Sequence, residues 1–159
     1  MAKLTHVDIS GNALMVDVSS KDITSRTASA EGKIYMSKEC FDLVLSHSHK
    51  KGDVLTISQV AGIMASKRTS SLIPLTHNIN LTNSEVTFTE ISENDKYGFI
   101  CHSLMKCNDV TGVEMEALTA VSVALLTIYD MCKAVDKRML ITDIHLVKKT
   151  GGKSGEFNY

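Results

Sequence analysis

TGVEMEALTAVSVALLTIYDMCK, residues 111–133, is apolar around most of its circumference when wound as a helix, so its polar residues need an explanation. At ~100° per residue, Glu116, Thr119, Ser122, Thr127, Asp130 and Lys133 share an arc of roughly 140°, with Glu114 nearly opposite. A buried rod carrying one polar stripe is expected. Thr111 and Glu114 have the spacing of an S/T-x-x-E capping box at its start. Asp130 and Lys133, spaced i, i+3, can pair; on spacing alone that is more often a structural ion pair, common on helices, than an acid/base couple tuned by partial burial. Glu116 and Asp130 stand about 21 Å apart along such a helix, too far for one compact ring system. If both ends touch a ligand, different subunits build each pocket.

Outward from this helix, the chain alternates polar and apolar residues. MLITDIHLVKK follows as a strand, beyond Asp136 and Lys137. INLTNSEVTFTEIS and KYGFICHSLMKC precede it as two antiparallel strands around a turn at Glu93, Asn94 and Asp95. Further upstream, Asp53 is a candidate N-cap for a helix offering Leu55, Ile57, Val60, Ala61 and Met64 for burial before Pro74 breaks it. Cys40, Phe41, Val44 and Leu45 mark a helix face ending near HSHKKG, and Leu14 to Met36 reads as extended. The order β, α, α, β, β, α, β predicts an α+β fold: a ferredoxin-like antiparallel sheet with helices on one face. One domain spans residues 1–159, with an extended N-terminal arm to about residue 30 and a Gly/Lys-rich tail from about 148.

The 17 basic and 18 acidic side chains nearly cancel, and aromatics are 5% with no Trp. That balance argues against nucleic acid and membrane surfaces as partners. MAKLTHVDIS has no apolar leader core, and the most apolar stretch is interrupted by charges. Cys40, Cys101, Cys107 and Cys132 show no C-x-x-C spacing, which suits reduced thiols and a cytoplasmic location and argues against a zinc site. No metal-ligand set is expected: His47 and His49 form an H-x-H without a third ligand nearby.

Any anion must therefore be gripped by local cations. Arg26, the Lys50–Lys51 and Lys67–Arg68 pairs, and Lys148, Lys149 and Lys153 around Gly151 and Gly152 are the candidates. KKTGGKSG is not a P-loop, since the first glycine of that motif would fall at Val147 and no helix follows. His77 lies between a helix and a strand, where ligand sites form.

Four blocks carry a family resemblance: MVDVSSKDITSRTA, KKGDVLTISQVAGIMASKRTSSLIPLTH, TGVEMEALTAVSVALLTIYDMCKAVDK and KKTGGKSGEF. Together they resemble the MoaC-type cyclic pyranopterin monophosphate synthases of molybdenum cofactor biosynthesis over nearly the whole chain. The resemblance implies a homohexamer, a trimer of dimers with active sites at the dimer interface. It also implies a lyase reaction, in which (8S)-3',8-cyclo-7,8-dihydroguanosine 5'-triphosphate becomes the tricyclic pyranopterin with a cyclic phosphate and pyrophosphate leaves. Asp130 matches the family's catalytic aspartate, Lys133 its partner lysine, and Lys51 the lysine of K-G-D-V. Leu75, Thr76 and His77 fall on one substrate-binding segment, and Met115 and Glu116 on another. Arg26, Glu114, Lys149 and Lys153 match residues lining the same pocket. The family usually reads L-I-P-L-C-H-P, so Thr76 and Asn78 are departures that question any role for the thiol. No cofactor is required by the sequence, and Mg²⁺ can accompany the triphosphate. The rival reading is a non-catalytic ferredoxin-like oligomer that binds a phosphorylated ligand and returns it unchanged.

Overall fold

A computed structural model describes residues 5–46, 53–153 and 155–159. They form β1 (Thr24–Met36), α1 (Lys38–Leu45), α2 (Val54–Ser66), α3 (Thr69–Leu72), β2 (Leu81–Glu93), β3 (Lys96–Asp109), α4 (Glu114–Cys132), β4 (Leu140–Thr150) and β5 (Phe157–Asn158). The strands make one antiparallel sheet in the order β2-β3-β1-β4-β5, and the helices pack on one face, so the α+β ferredoxin-like architecture stands. β1 and β3 lie in the interior of the sheet. Along β1 the residues Ala28, Ala30, Ile34 and Met36 point at the helices and are buried, which is the period of two that a half-covered strand requires.

Local chemistry explains the connections. β2 and β3 turn at Asn94 and Asp95, whose φ values of 52° and 58° are the left-handed geometry of a tight hairpin that Asn and Asp tolerate. Asp53 caps α2 through its side chain, which accepts from the Thr56 amide at 3.0 Å. β1 starts at Thr24 and takes in residues 24–30, which the sequence reading leaves in the arm.

The helix layer departs from expectation in which residues it buries. α2 turns Val54, Ser58, Gly62 and Ala65 inward and leaves Ile57, Val60 and Met64 exposed at 42%, 54% and 45%. Backbone proximity selects the small face: a Cβ on Gly62 would stand 2.9 Å from the Ala120 carbonyl oxygen of α4 and 3.2 Å from the Ala124 Cβ. The two helices approach too closely for large side chains between them.

α4 runs for 19 residues, shorter than the stretch from 111 to 133, and begins without the capping box. Val113 sits at the N-cap and no side chain caps the helix there. α4 has the length and apolarity of a membrane-crossing helix, yet 56% of that window is buried in the fold. Ala117, Val121, Leu125 and Ile128 join the core with Ile34, Phe99 and Met105 of the sheet, which identifies a core helix. Part of the expected polar stripe is satisfied locally. The Ser122 and Thr127 hydroxyls donate back to the Leu118 and Val123 carbonyls at 2.8 and 2.7 Å.

Candidate active site

The start of α4 meets the segment after α3 in a cavity of about 350 Å³. Leu75, Thr76 and His77 form one wall and Glu114, Met115 and Glu116 another, so the two expected substrate segments do come together. Glu114 and Glu116 face the same cavity although helical geometry sets them on nearly opposite sides, because the first turn of α4 presents its end to the cavity as well as its flank. A third wall comes from the N-terminal arm, through Val16, Val18 and Lys21.

Glu116 is 3% exposed, and its Oε2 atom has no hydrogen-bond partner among the described residues. Burial pushes its carboxyl up to about 7, and the nearby Glu114 charge adds to that. A carboxyl that changes protonation near neutrality, with one oxygen unsatisfied beside a cavity, is equipped to trade a proton or a hydrogen bond with a ligand. The sequence reading places Glu116 only among binding residues. The available signal was a glutamate on the buried arc of an apolar helix.

His77 holds the arm in place. Its Nε2 lies 2.8 Å from the Val16 carbonyl oxygen. A carbonyl only accepts, so Nε2 carries the proton in this contact and a neutral ring keeps its lone pair on Nδ1. The Thr76 hydroxyl donates to the Ile73 carbonyl at 2.9 Å, which spends its proton inside the turn.

The cavity continues into polar space. A smaller cavity of about 180 Å³ lies between Arg26, Glu114, Lys149 and Gly151, and a third of about 390 Å³ opens toward Gly152 and Lys153. The sheet register explains the cluster: Arg26 of β1 stands opposite Cys107 of β3, and Lys149 of β4 opposite Ala28 of β1. Arg26 donates from Nε and Nη2 to the Asp109 and Val110 carbonyls at 3.1 and 3.0 Å, tying the β3–α4 connection to β1. Lys149 pairs with Glu114 at 3.0 Å, both less than a third exposed. Gly151 and Gly152, at φ 89° and 78°, bring the tail over Arg26; a Cβ on Gly152 would collide with that guanidinium.

Asp130 and Lys133 do pair, Oδ1 to Nζ at 2.6 Å, at the far end of α4. They line none of these cavities. Their side chains are 64% and 52% exposed, and the Asp130 carboxylate holds the Lys133 ammonium above its ordinary value. Within one subunit the pair is therefore open to solvent rather than partly buried, and Lys133 is moved away from neutrality. Lys51 lies outside the described residues, as do His47 and His49. Lys21 is the residue sequence reasoning overlooks: it sits within MVDVSSKDITSRTA, where nothing local separates it from any exposed lysine.

Comparison with known proteins gives one consistent result. The MoaC family model matches residues 15–152. A protein of Clostridium perfringens named cyclic pyranopterin monophosphate synthase is 57% identical over 157 residues, covering 99% of this chain and 98% of the relative. One of Clostridium acetobutylicum with the same name is 52% identical, covering 96% and 94%. An Arabidopsis thaliana relative, named as the mitochondrial form, is 54% identical over 99% of this chain and 58% of its own length.

Proposed function

The chain belongs to the MoaC family, and from that premise we propose that it performs the cyclic pyranopterin monophosphate synthase reaction. It is a lyase of molybdenum cofactor biosynthesis. Its substrate is the cyclised dihydroguanosine triphosphate, and its products are the pyranopterin with a cyclic phosphate and pyrophosphate. The observation that carries the reading is the convergence of residues 75–77 and 114–116 on one cavity that opens onto Arg26 and Lys149. A ring system needs the first part and a triphosphate the second.

The residues divide the chemistry. Opening and reclosing the rings takes several proton transfers. Glu116, with its carboxyl near 7, supplies one donor or acceptor at the ring end. Asp130 and Lys133 supply a pair, and Lys51 assists ring hydrolysis. Closing the phosphate ring joins a sugar hydroxyl oxygen to the nearest phosphorus as the bond to pyrophosphate breaks. Arg26, Lys149 and Lys153 balance that charge. Mg²⁺, where present, would arrive on the triphosphate oxygens; among the described residues no three His, Cys, Asp or Glu stand together as a metal site.

Asp130 and Lys133 reach a substrate only if a neighbouring subunit covers them, since about 21 Å of helix separates them from Glu116. A homohexamer built as a trimer of dimers, with sites at the dimer interface, meets that need. Support comes from the exposed Ile57, Val60 and Met64 on α2 and Leu126 on α4, an apolar surface available for association. The four buried free thiols suit a reducing, cytoplasmic setting.

The test is incubation of the purified protein with the cyclised nucleotide, following pyrophosphate release and identifying the product by mass and fluorescence. Conversion is expected. Tight binding with the nucleotide recovered unchanged would replace the enzyme by a binding module.

A further inference from the structure

Lys21 is the one described residue that lines all three cavities of the site. The ring cavity and the small polar cavity also share Thr111, Gly112 and Glu114; the polar cavity and the outer one also share Arg26. Lys21 therefore stands at the junction. A ligand with a ring system at one end and three phosphates at the other must pass that junction with its sugar-linked phosphate.

Two of the neighbouring cations are already engaged. Arg26 spends Nε and Nη2 on backbone carbonyls, and Lys149 is neutralised by Glu114. Asp22 and Glu114 add negative charge to the same walls. Among the described residues the Lys21 side chain makes no hydrogen bond or ion pair, and it is exposed. Its backbone is fixed all the same. The Lys21 amide closes a turn onto the Val18 carbonyl at 3.0 Å, and Asp17 accepts from the Ser19 amide and hydroxyl at 2.9 and 2.6 Å. Val16, one residue further back, is the carbonyl that His77 holds.

We propose that Lys21 binds the phosphate bonded to the sugar and neutralises charge on the oxygen that leaves with pyrophosphate. This deepens the triphosphate reading above and rests on it. In the step concerned, the sugar hydroxyl oxygen bonds to phosphorus and its proton passes to a carboxylate or imidazole. The phosphorus–oxygen bond to pyrophosphate breaks, its electron pair going to the departing oxygen. An ammonium on a four-carbon stem can follow charge along that path, which the tethered Arg26 guanidinium cannot. The His77 contact also couples the two ends, because the ring-cavity wall positions the arm that carries the cation.

The experiment is calorimetric titration of the full-length protein with inorganic tripolyphosphate, using wild type, Lys21→Ala, Lys21→Arg and, as a remote control at the β2–β3 turn, Lys96→Ala. Lys21→Ala should weaken binding about ten-fold or more, Lys21→Arg should retain most of the affinity, and Lys96→Ala should match wild type. Turnover of the cyclised nucleotide is measured alongside, and Lys21→Ala should raise KM and slow pyrophosphate release at saturation. Equal affinity in wild type and Lys21→Ala, equal losses in Lys21→Ala and Lys96→Ala, or no tripolyphosphate binding by wild type would overturn the proposal. A wild-type protein that binds tripolyphosphate through Lys21 yet leaves the nucleotide unchanged would overturn the enzymatic reading instead.

Discussion

The two ends of α4 carry similar residues in opposite surroundings. At the start, Glu116 is 3% exposed with an oxygen that has no partner among the described residues, and burial drives its carboxyl up to about 7. At the other end, Asp130 and Lys133 form a 2.6 Å pair open to solvent, and the pairing moves Lys133 away from neutrality. Desolvation rather than residue type lifts the Glu116 carboxyl to where it can exchange a proton near pH 7, and the solvated end of the helix lacks that desolvation. The exposed pair becomes comparable to Glu116 only when another surface removes its water.

The largest effect should come from the exposed end. Asp130→Asn and Lys133→Ala should each lower turnover of the cyclised nucleotide by roughly 10²–10⁴-fold, the range for losing a positioned acid or base. Tm should hardly change, since solvated pairs contribute little to folding. Near-normal pyrophosphate release from both variants would leave the pair a surface ornament and confine the chemistry to the Glu116 end.

Mixing subunits sharpens the contrast further. If each site combines the Glu116 end of one subunit with the Asp130 end of its neighbour, Asp130→Asn and Glu116→Gln proteins, each inactive alone, should complement. In randomly exchanged dimers of two-fold symmetry, half are mixed and one site of each is intact, giving about a quarter of wild-type activity. Activity no higher than that of the parents, with exchange verified by mass spectrometry, would place both ends in separate and unshared roles.

This division of α4 was only partly legible in the sequence. Apolar periodicity foretells the helix, and Asn94 and Asp95 foretell the hairpin turn, because both are local properties of the chain. Which side of α2 is buried is not local: Gly62 and Ser58 win over Ile57 and Val60 because α4 lies so close. The same limit applies to the site. Residues 75–77 and 114–116 could be carried over from a family pattern, whereas Lys21 acquires meaning only when the arm folds beneath His77 and three cavities meet there. The missing cap at Thr111 has a related cause, since Glu114 turns to Lys149 across the sheet.

The next effect is on stability and belongs to the buried end. A carboxyl whose folded value is raised from 4.5 to about 7 binds more protons in the native state than in the unfolded chain across that window. Stability must therefore fall as pH rises through it, with the cost complete above 7. Its ceiling is on the order of 3 kcal/mol. Glu116→Gln removes the titration, so the variant should gain on wild type between pH 5 and pH 8 in urea unfolding. The same stability difference at both pH values would show that the Glu116 site is wetter than its burial implies.

The smallest effect concerns Thr76, on the wall facing Glu116. Its hydroxyl proton is spent on the Ile73 carbonyl at 2.9 Å, inside the turn that presents His77. Replacing it by Val leaves that carbonyl without this donor and should cost about 1 kcal/mol of stability. Cys, the residue more usual at this position in the family, donates weakly and should fall between the two. Neither change touches a group free to act on a ligand, so turnover should vary by less than about three-fold, which corresponds to under ~1 kcal/mol. A large gain in rate for Thr76→Cys would reveal a chemical role for a thiol that this chain lacks. A large loss for Thr76→Val, with folding intact, would mean the hydroxyl serves the ligand, and the buried end of α4 would then share its work with the opposite wall.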